Sequence, residues 1–260
     1  MATYLGGNMK LGNVAAIVTG GGSGLGAETA RALAQRGAKV TCLDVNLEGA
    51  EKVAAEIGGL GVKADVTSES EAQAAIDKAE GKHGVTRILI NCAGIGTPAR
   101  VVGKKGPFPL EVFSRVINVN LIGTFNMIRL VAARLWEAEI EGEERGVFIN
   151  TASVAAFEGQ IGQAAYSASK GGIVGMTLPV ARDLAQYRIR VNTIAPGLFL
   201  TPLLQSLPPE AQESLGKQVP FPSRLGDPTE FAALAVHIVE NPMLNGETIR
   251  LDGAIRMQPR

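Results

Sequence analysis

Tyr166 and Lys170 stand four residues apart in Ala165-Tyr166-Ser167-Ala168-Ser169-Lys170, and Ser153 lies thirteen residues upstream in Asn150-Thr151-Ala152-Ser153. On a helix that spacing projects a phenol and an ammonium from one face, and a nearby fixed cation favours ionisation of a phenol. Tyr166 is therefore a candidate acid/base near neutral pH. Taken alone, a Tyr/Lys pair at this spacing is an ordinary solvated helix face, so its meaning depends on the elements that position it.

Those elements alternate. Short β-branched runs are read as strands at Val14–Val18, Lys39–Leu43, near Val62, and at Arg87–Asn91, Val147–Asn150, Ile189–Ile194 and Glu247–Leu251. Between them, Ala- and Leu-rich segments are read as helices at Ala27–Arg36, Leu47–Ile57, about Ser70–Lys82, Leu110–Glu137 and Gln163–Gln186, the last kinked at Pro179. Right-handed βαβ units of this kind build a doubly wound parallel sheet with helices on both faces, an α/β Rossmann-like fold. No linker-like stretch divides the 260 residues, so one domain over 1–260 is expected, with a loose arm at 1–10. Two segments interrupt the rhythm. The Glu-dense Glu137–Arg145 reads as a solvated loop, and 198–227, proline-rich and apolar, as a partly helical lid over a substrate pocket.

The first strand runs directly into Thr19-Gly20-Gly21-Gly22-Ser23-Gly24-Leu25-Gly26-Ala27. Side-chain-free residues between a strand and a helix let backbone N–H groups and a helix N-terminus meet a pyrophosphate. The spacing Gly20-x-x-x-Gly24-x-Gly26 differs from the GxGxxG of two-domain dehydrogenases and implies a variant dinucleotide fold. Asp44 closes the second strand, where a carboxylate can accept from both ribose hydroxyls of NAD and repel the extra phosphate of NADP. The competing reading makes Asp44 the cap of the helix beginning near Leu47. Asp65-Val66 and Asn91-Cys92-Ala93-Gly94 follow the third and fourth strands, at the carboxyl ends where open α/β sheets bind ligands.

Composition narrows the partners. Lys plus Arg and Asp plus Glu are equal at 25 each, so no net positive field draws nucleic acid or an anionic membrane surface. No run is read as approaching the roughly 18–20 apolar residues of a membrane span, and the N-terminus lacks a secretory or Arg-rich transit pattern. The expected compartment is the cytoplasm, or the mitochondrial matrix in a eukaryote. Cys42 and Cys92, both in apolar runs, read as reduced core thiols. His83 and His237 are isolated, so no metal site is expected.

Together, TGxxxGxG, the turn at Asn91, Asn118-Val119-Asn120, Ser153, Tyr-x-x-x-Lys and Pro196-Gly197 resemble the short-chain dehydrogenase/reductase family over essentially the whole chain. Longer stretches, among them Asn150–Gln160, Ala164–Asp183 and Arg250–Pro259, are similar to its type II 3-hydroxyacyl-CoA dehydrogenase branch. The resemblance implies that Tyr166 exchanges the alcohol proton while Lys170 holds the nicotinamide ribose and keeps the phenol pKa low. It implies that Ser153 orients the substrate oxygen and Asn120 anchors a water relay behind Lys170. Cofactor contacts carried over are Gly20, Ser23, Gly24, Leu25 and Gly26, Asp44, Asp65 and Val66, Asn91 to Gly94, Pro196 and Gly197, and Phe199 and Thr201. Leu200 replaces an expected small residue and would narrow the pocket, and Cys92 stands where most of the wider family has Asn.

The expected activity is NAD-dependent interconversion of a 3-hydroxyacyl-CoA and its 3-oxo form, in fatty acid metabolism. A hydroxysteroid or general secondary-alcohol dehydrogenase is the alternative, and a non-catalytic NAD-binding scaffold the reading from another class. Leu203, Leu204, Leu207, Leu215 and Phe221 are expected to line the substrate pocket, with Lys104-Lys105 as a rim for CoA phosphates or merely a solvated turn. The family implies a homotetramer built through the two long helices.

Overall fold

In the computed structural model of the chain, residues 9, 11–104, 106–205 and 208–259 are described, and the side chain of Leu203 is not. The expectations for the N-terminal arm other than Met9, for Lys105 and for the Leu207 and Leu203 side chains lie outside the described residues. Met9 itself is buried in the core, contrary to a loose arm.

Seven parallel strands form the sheet: β1 (Ala15–Thr19), β2 (Lys39–Asp44), β3 (Leu60–Lys63), β4 (Thr86–Asn91), β7 (Gly146–Thr151), β8 (Ile189–Pro196) and β9 (Thr248–Leu251), in the order β3-β2-β1-β4-β7-β8-β9. A two-residue antiparallel pair, β5 (Val102–Gly103) and β6 (Gly106–Pro107), stands apart from it. This is the expected doubly wound α/β arrangement. Chain order reverses between β1 and β4, which opens a crevice at the carboxyl ends of those strands.

Strand residues alternate between two cores because successive side chains take opposite faces. Ala16, Val18, Ile88, Ile90, Val147 and Ile149 pack under helices α1 (Gly24–Gln35), α2 (Leu47–Ile57) and α9 (Pro228–Glu240). Ile17, Leu89 and Phe148 pack under α3 (Glu69–His83), α5 (Gly123–Leu135) and α6 (Ala164–Ala185). Two short helices, α7 (Pro202–Gln205) and α8 (Pro209–Gly216), lie within the proline-rich segment ahead of α9. Helix α9 has no counterpart among the elements expected from the sequence. Its start is nonetheless signalled: Asp227 and Glu230 form a reciprocal capping box, with Pro228 in the first turn.

The helix expected over Leu110–Glu137 is broken into α4 (Leu110–Ile117), a π-helical turn at Asn118–Ile122, and α5. A π turn adds one residue to the turn and rotates the helix beyond it, and such turns gather at functional sites. Contrary to the sequence reading, Leu110–Leu135 is long and apolar enough to cross a membrane, an 18-residue window within it having mean hydropathy 1.4, but 56% of that window is buried inside the protein, as a core helix is. Helix α6 runs through Pro179, which removes one backbone donor without ending the helix.

The Glu137–Arg145 segment is not uniformly solvated. Glu144 is 5% exposed, and its carboxylate accepts from Arg190 Nε at 2.5 Å and Nη2 at 3.1 Å. Arg190 also donates to the carbonyls of Ile238, Val239, Asn241 and Leu244, closing the C-terminus of α9.

Candidate active site

A cleft of about 1070 Å³ opens along the carboxyl ends of β1, β2 and β4 and reaches the first turns of α6. Its nucleotide-like end is the glycine turn. Helix α1 begins at Gly24, three residues earlier than expected, so the turn and the helix N-terminus are one unit. The glycines are required by close approach. A Cβ on Gly26 would lie 2.2 Å from Gly20 O, and one on Gly20, at φ +65°, would lie 2.8 Å from Ala93 N. Ser23 precedes the helix without a side-chain capping bond, and Ser23, Gly24, Leu25 and Gly26 all line the cleft. The first-turn N–H groups are thus available to an anion, as a pyrophosphate cradle requires.

Asp44 does not cap α2. Asn46 does, accepting from Gly49 N at 3.3 Å. Asp44 instead ties the turn to the strand: Oδ2 accepts from Gly22 N at 3.0 Å and Oδ1 from Asn46 N at 2.9 Å, with the side chain on the cleft. Asp65 accepts from Thr67 N and Oγ1 at 2.9 and 2.8 Å and lines the cleft beside Val66, whose carbonyl accepts from Asn126 Nδ2 at 2.8 Å. Cys92, Ala93 and Gly94 form the adjoining wall, with Cys92 one residue beyond β4 rather than within it. Burial pushes the Cys92 thiol up to about 11 and that of Cys42 up to about 12, which keeps both protonated.

At the other end, Ser153 lies two residues beyond β7 and caps a short turn, its Oγ accepting from Ala155 N at 3.1 Å, and its hydroxyl acts on the Tyr166 phenol to lower its pKa. Lys170, one turn along α6, donates from Nζ to Thr151 O at 2.7 Å and lies 5.6 Å from the centroid of the Tyr166 ring. Burial pulls this ammonium down to about 8. The expected lowering of the phenol does not appear here: burial raises the Tyr166 pKa, opposed by the Ser153 hydrogen bond. Gly94 permits the approach of the β4 turn to this group, since its Cβ would sit 3.2 Å from Asn120 Oδ1 and 3.5 Å from Lys170 Nζ.

Asn120 lies in the π turn, fully buried and off the cleft surface. Its Oδ1 accepts from Ile95 N at 2.8 Å, and Nδ2 donates to Ile95 O and Ser169 Oγ, each at 2.9 Å. Both amide hydrogens are used, and the side chain fixes the wall beside Lys170.

Other expected site residues lie elsewhere than on the cleft. Asn91 is buried beneath it, donating from Nδ2 to Asn150 Oδ1 at 3.0 Å. Phe199 is 6% exposed and packs into the core against Gly226, because the main chain there bridges the two. Pro196, Gly197, Leu198, Thr201 and Pro202 do line the cleft, but Leu200 does not and therefore does not narrow it. Of the expected apolar lid, Phe221 is exposed because its segment is held outward, Phe221 N donating to Gly253 O at 3.2 Å. Leu204 and Leu215 also lie off the cleft, as does Lys104. Conversely, Arg115, Asn118, Gln160, Gln163 and Met257 line it, although the sequence does not mark them as site residues. Asn118 lies inside the Asn118-Val119-Asn120 motif, but no local spacing marks the others.

Residues 14–212 match the family model for short chain dehydrogenases. The rat protein named 3-hydroxyacyl-CoA dehydrogenase type-2 is 59% identical over 249 residues, 94% of this chain and 95% of that protein. The crystal structure of 3-hydroxyacyl-CoA dehydrogenase type-2 from Mycobacterium avium superposes with a TM-score of 0.91 at 43% identity, covering 95% of this chain and 98% of that one. A 3-ketoacyl-(acyl-carrier-protein) reductase from Brucella melitensis, solved in complex with NADH, superposes with a TM-score of 0.84 at 34% identity, covering 94% and 98%.

Proposed function

The chain belongs to the short-chain dehydrogenase family, and from that premise we propose that it is an NAD-dependent 3-hydroxyacyl-CoA dehydrogenase. The carrying observation is that Ser153, Tyr166 and Lys170 meet in the same cleft as the glycine turn and Asp44. The names of the type-2 relatives supply the substrate class. The choice of NAD over NADP rests on Asp44, whose carboxylate faces the cleft and would repel a ribose phosphate.

The glycine turn, Asp44 and Lys170 would hold NAD, which would supply the hydride acceptor for the alcohol carbon. Tyr166 Oη takes the hydroxyl proton in oxidation and returns it in reduction, as general base and general acid. Ser153, which faces the same cleft and favours the ionised phenol, holds the substrate oxygen beside it. Lys170 spends one of three N–H donors on Thr151 O, leaving two for ribose hydroxyls. Asn120 acts through its neighbours, as a positioning residue. Because burial raises the phenol, alcohol oxidation should quicken as pH rises.

The assembly we propose is a homotetramer, supported by the exposed apolar Ile122, Phe125 and Leu178 on the two long helices. Sedimentation velocity tests it, and a monomer would refute it.

The functional test is NAD reduction by purified protein on 3-hydroxyacyl-CoAs, a hydroxysteroid and simple secondary alcohols, with Tyr166→Phe alongside. CoA-ester turnover reduced about 10²-fold or more in the variant, with unchanged NAD affinity, is the expected result. Preference for the non-CoA alcohols would replace the substrate assignment, and NAD binding without turnover would make the chain a scaffold.

A further inference from the structure

The C-terminal segment crosses back to the substrate end of the cleft. The loop from Glu158 to Gln163 separates Ser153 from the Tyr166 helix, and the chain at 256–259 lies along it. The Glu158 carboxylate accepts from Arg250 Nη1 at 2.7 Å and Nη2 at 2.9 Å, and it pairs with the Nε of Arg256, the residue before Met257, at 3.5 Å. Gln160 Nε2 donates to Gln258 O at 2.9 Å, and Ile161 N donates to Pro259 O at 3.0 Å. Arg256, Gln258 and Pro259 are thus fastened to one loop, with Met257 between them.

That loop is in turn pressed on α6, where a Cβ on Gly159 would meet Ser167 Oγ at 2.2 Å. Met257 is consequently held in a fixed relation to Tyr166, which Ser167 directly follows on that helix. Its side chain lines the cleft with Gln160 and Gln163, an unbranched apolar group among polar ones. The bidentate Arg250–Glu158 pair, with the Arg250 guanidinium 5.1 Å from the Phe157 ring centroid, anchors the whole clamp.

We infer that Met257 is a specificity-determining residue, bounding the space open to the substrate's acyl chain, and that Glu158 is the residue that positions it. This rests on the 3-hydroxyacyl-CoA reading. Shortening Met257 enlarges the acyl end of the cleft, and enlarging it closes that end. Each added or removed methylene in an apolar site shifts discrimination by about 10-fold or more.

The test compares kcat/KM for 3-hydroxydecanoyl-CoA and 3-hydroxybutyryl-CoA in the full chain and in Met257→Ala, Met257→Phe and Glu158→Gln. The decanoyl-to-butyryl ratio should rise about tenfold in Met257→Ala and fall comparably in Met257→Phe, with the KM for NAD unchanged. Glu158→Gln should shift the ratio in the direction of Met257→Ala, and the double variant should shift it no further than Met257→Ala alone, since both act through one side chain. Ending the chain at Arg256 repeats the experiment with the Glu158–Arg250 pair intact and should match Met257→Ala. Ratios within about twofold of the unaltered chain in both Met257 variants overturn the inference while leaving the activity standing. A Glu158→Gln variant that slows both esters equally overturns its positioning role. Absence of turnover on either ester in the unaltered chain overturns the functional reading, and this inference with it.

Discussion

Replacing Lys170 with Met should stabilise the fold while abolishing turnover. Lys170 is 4% exposed, and its ammonium donates to Thr151 O at 2.7 Å. Burial brings its pKa from 10.5 to about 8, which at about 1.4 kcal/mol per unit corresponds to a penalty of about 3 kcal/mol for keeping the charge in the fold. Below about pH 8 the amine is protonated in folded and unfolded chains alike, and the penalty is present in full. Between about 8 and 10.5 the folded chain releases the proton while the unfolded chain keeps it, so this group's destabilisation fades as pH rises. Methionine fills the site without charge, but it leaves Thr151 O without that donor, costing about 1–2 kcal/mol. The net expectation is a gain of about 1–2 kcal/mol near neutral pH, shrinking or reversing above the amine's folded pKa. Urea unfolding of both proteins, at neutral pH and again in strongly alkaline buffer near the unfolded lysine pKa of 10.5, reads this difference directly. A variant less stable than the parent at neutral pH, or a difference that does not change with pH, would refute the reasoning.

Asp44→Asn keeps a carbonyl oxygen for Gly22 N but removes the charge on the cleft. The NADP-to-NAD ratio of kcat/KM should rise about tenfold or more, since a like-charge contact is worth roughly 1–4 kcal/mol at protein-surface dielectrics; an unchanged ratio would remove Asp44 as the selector. Gly26→Ala places a Cβ 2.2 Å from Gly20 O, a backbone atom with no slack. It should cost about 3 kcal/mol in thermal unfolding and weaken NAD binding, and a melt equal to the parent's contradicts the packing argument. Glu144→Gln leaves the buried Arg190 guanidinium without its counter-charge. A loss of about 3 kcal/mol is expected in denaturant titration, with activity per folded molecule unchanged, because the pair lies off the cleft.

What the sequence by itself determined was local. A four-residue spacing on a helix put Tyr166 and Lys170 on one face, a strand-turn-helix junction made the glycines a cradle, and the end of β2 put Asp44 beside it. In each case the chemistry arises from neighbours a few residues apart, or from the end of a strand whose direction a parallel sheet fixes. Helix α9 is also written locally, in Asp227-Pro228-Thr229-Glu230, although the proline-rich run before it hides its start among turn signals.

Tertiary structure decided which side chains reach the open space. Asn91 ends β4 and Phe199 follows β8, close to cleft-lining neighbours, yet Asn150 and Gly226 receive them in the interior. Glu144 sits in a charged run but meets Arg190 from another strand. The π turn at Asn118–Ile122 breaks a pattern that reads as one helix, and it places the Asn120 amide against Ile95 and Ser169. Met257 lies ninety-one residues beyond Tyr166, carried to the substrate end by the bonds of its neighbours Arg256, Gln258 and Pro259 to the Glu158 loop. Periodicity specifies the face a residue presents, whereas what stands opposite that face depends on contacts between distant segments that no local spacing encodes.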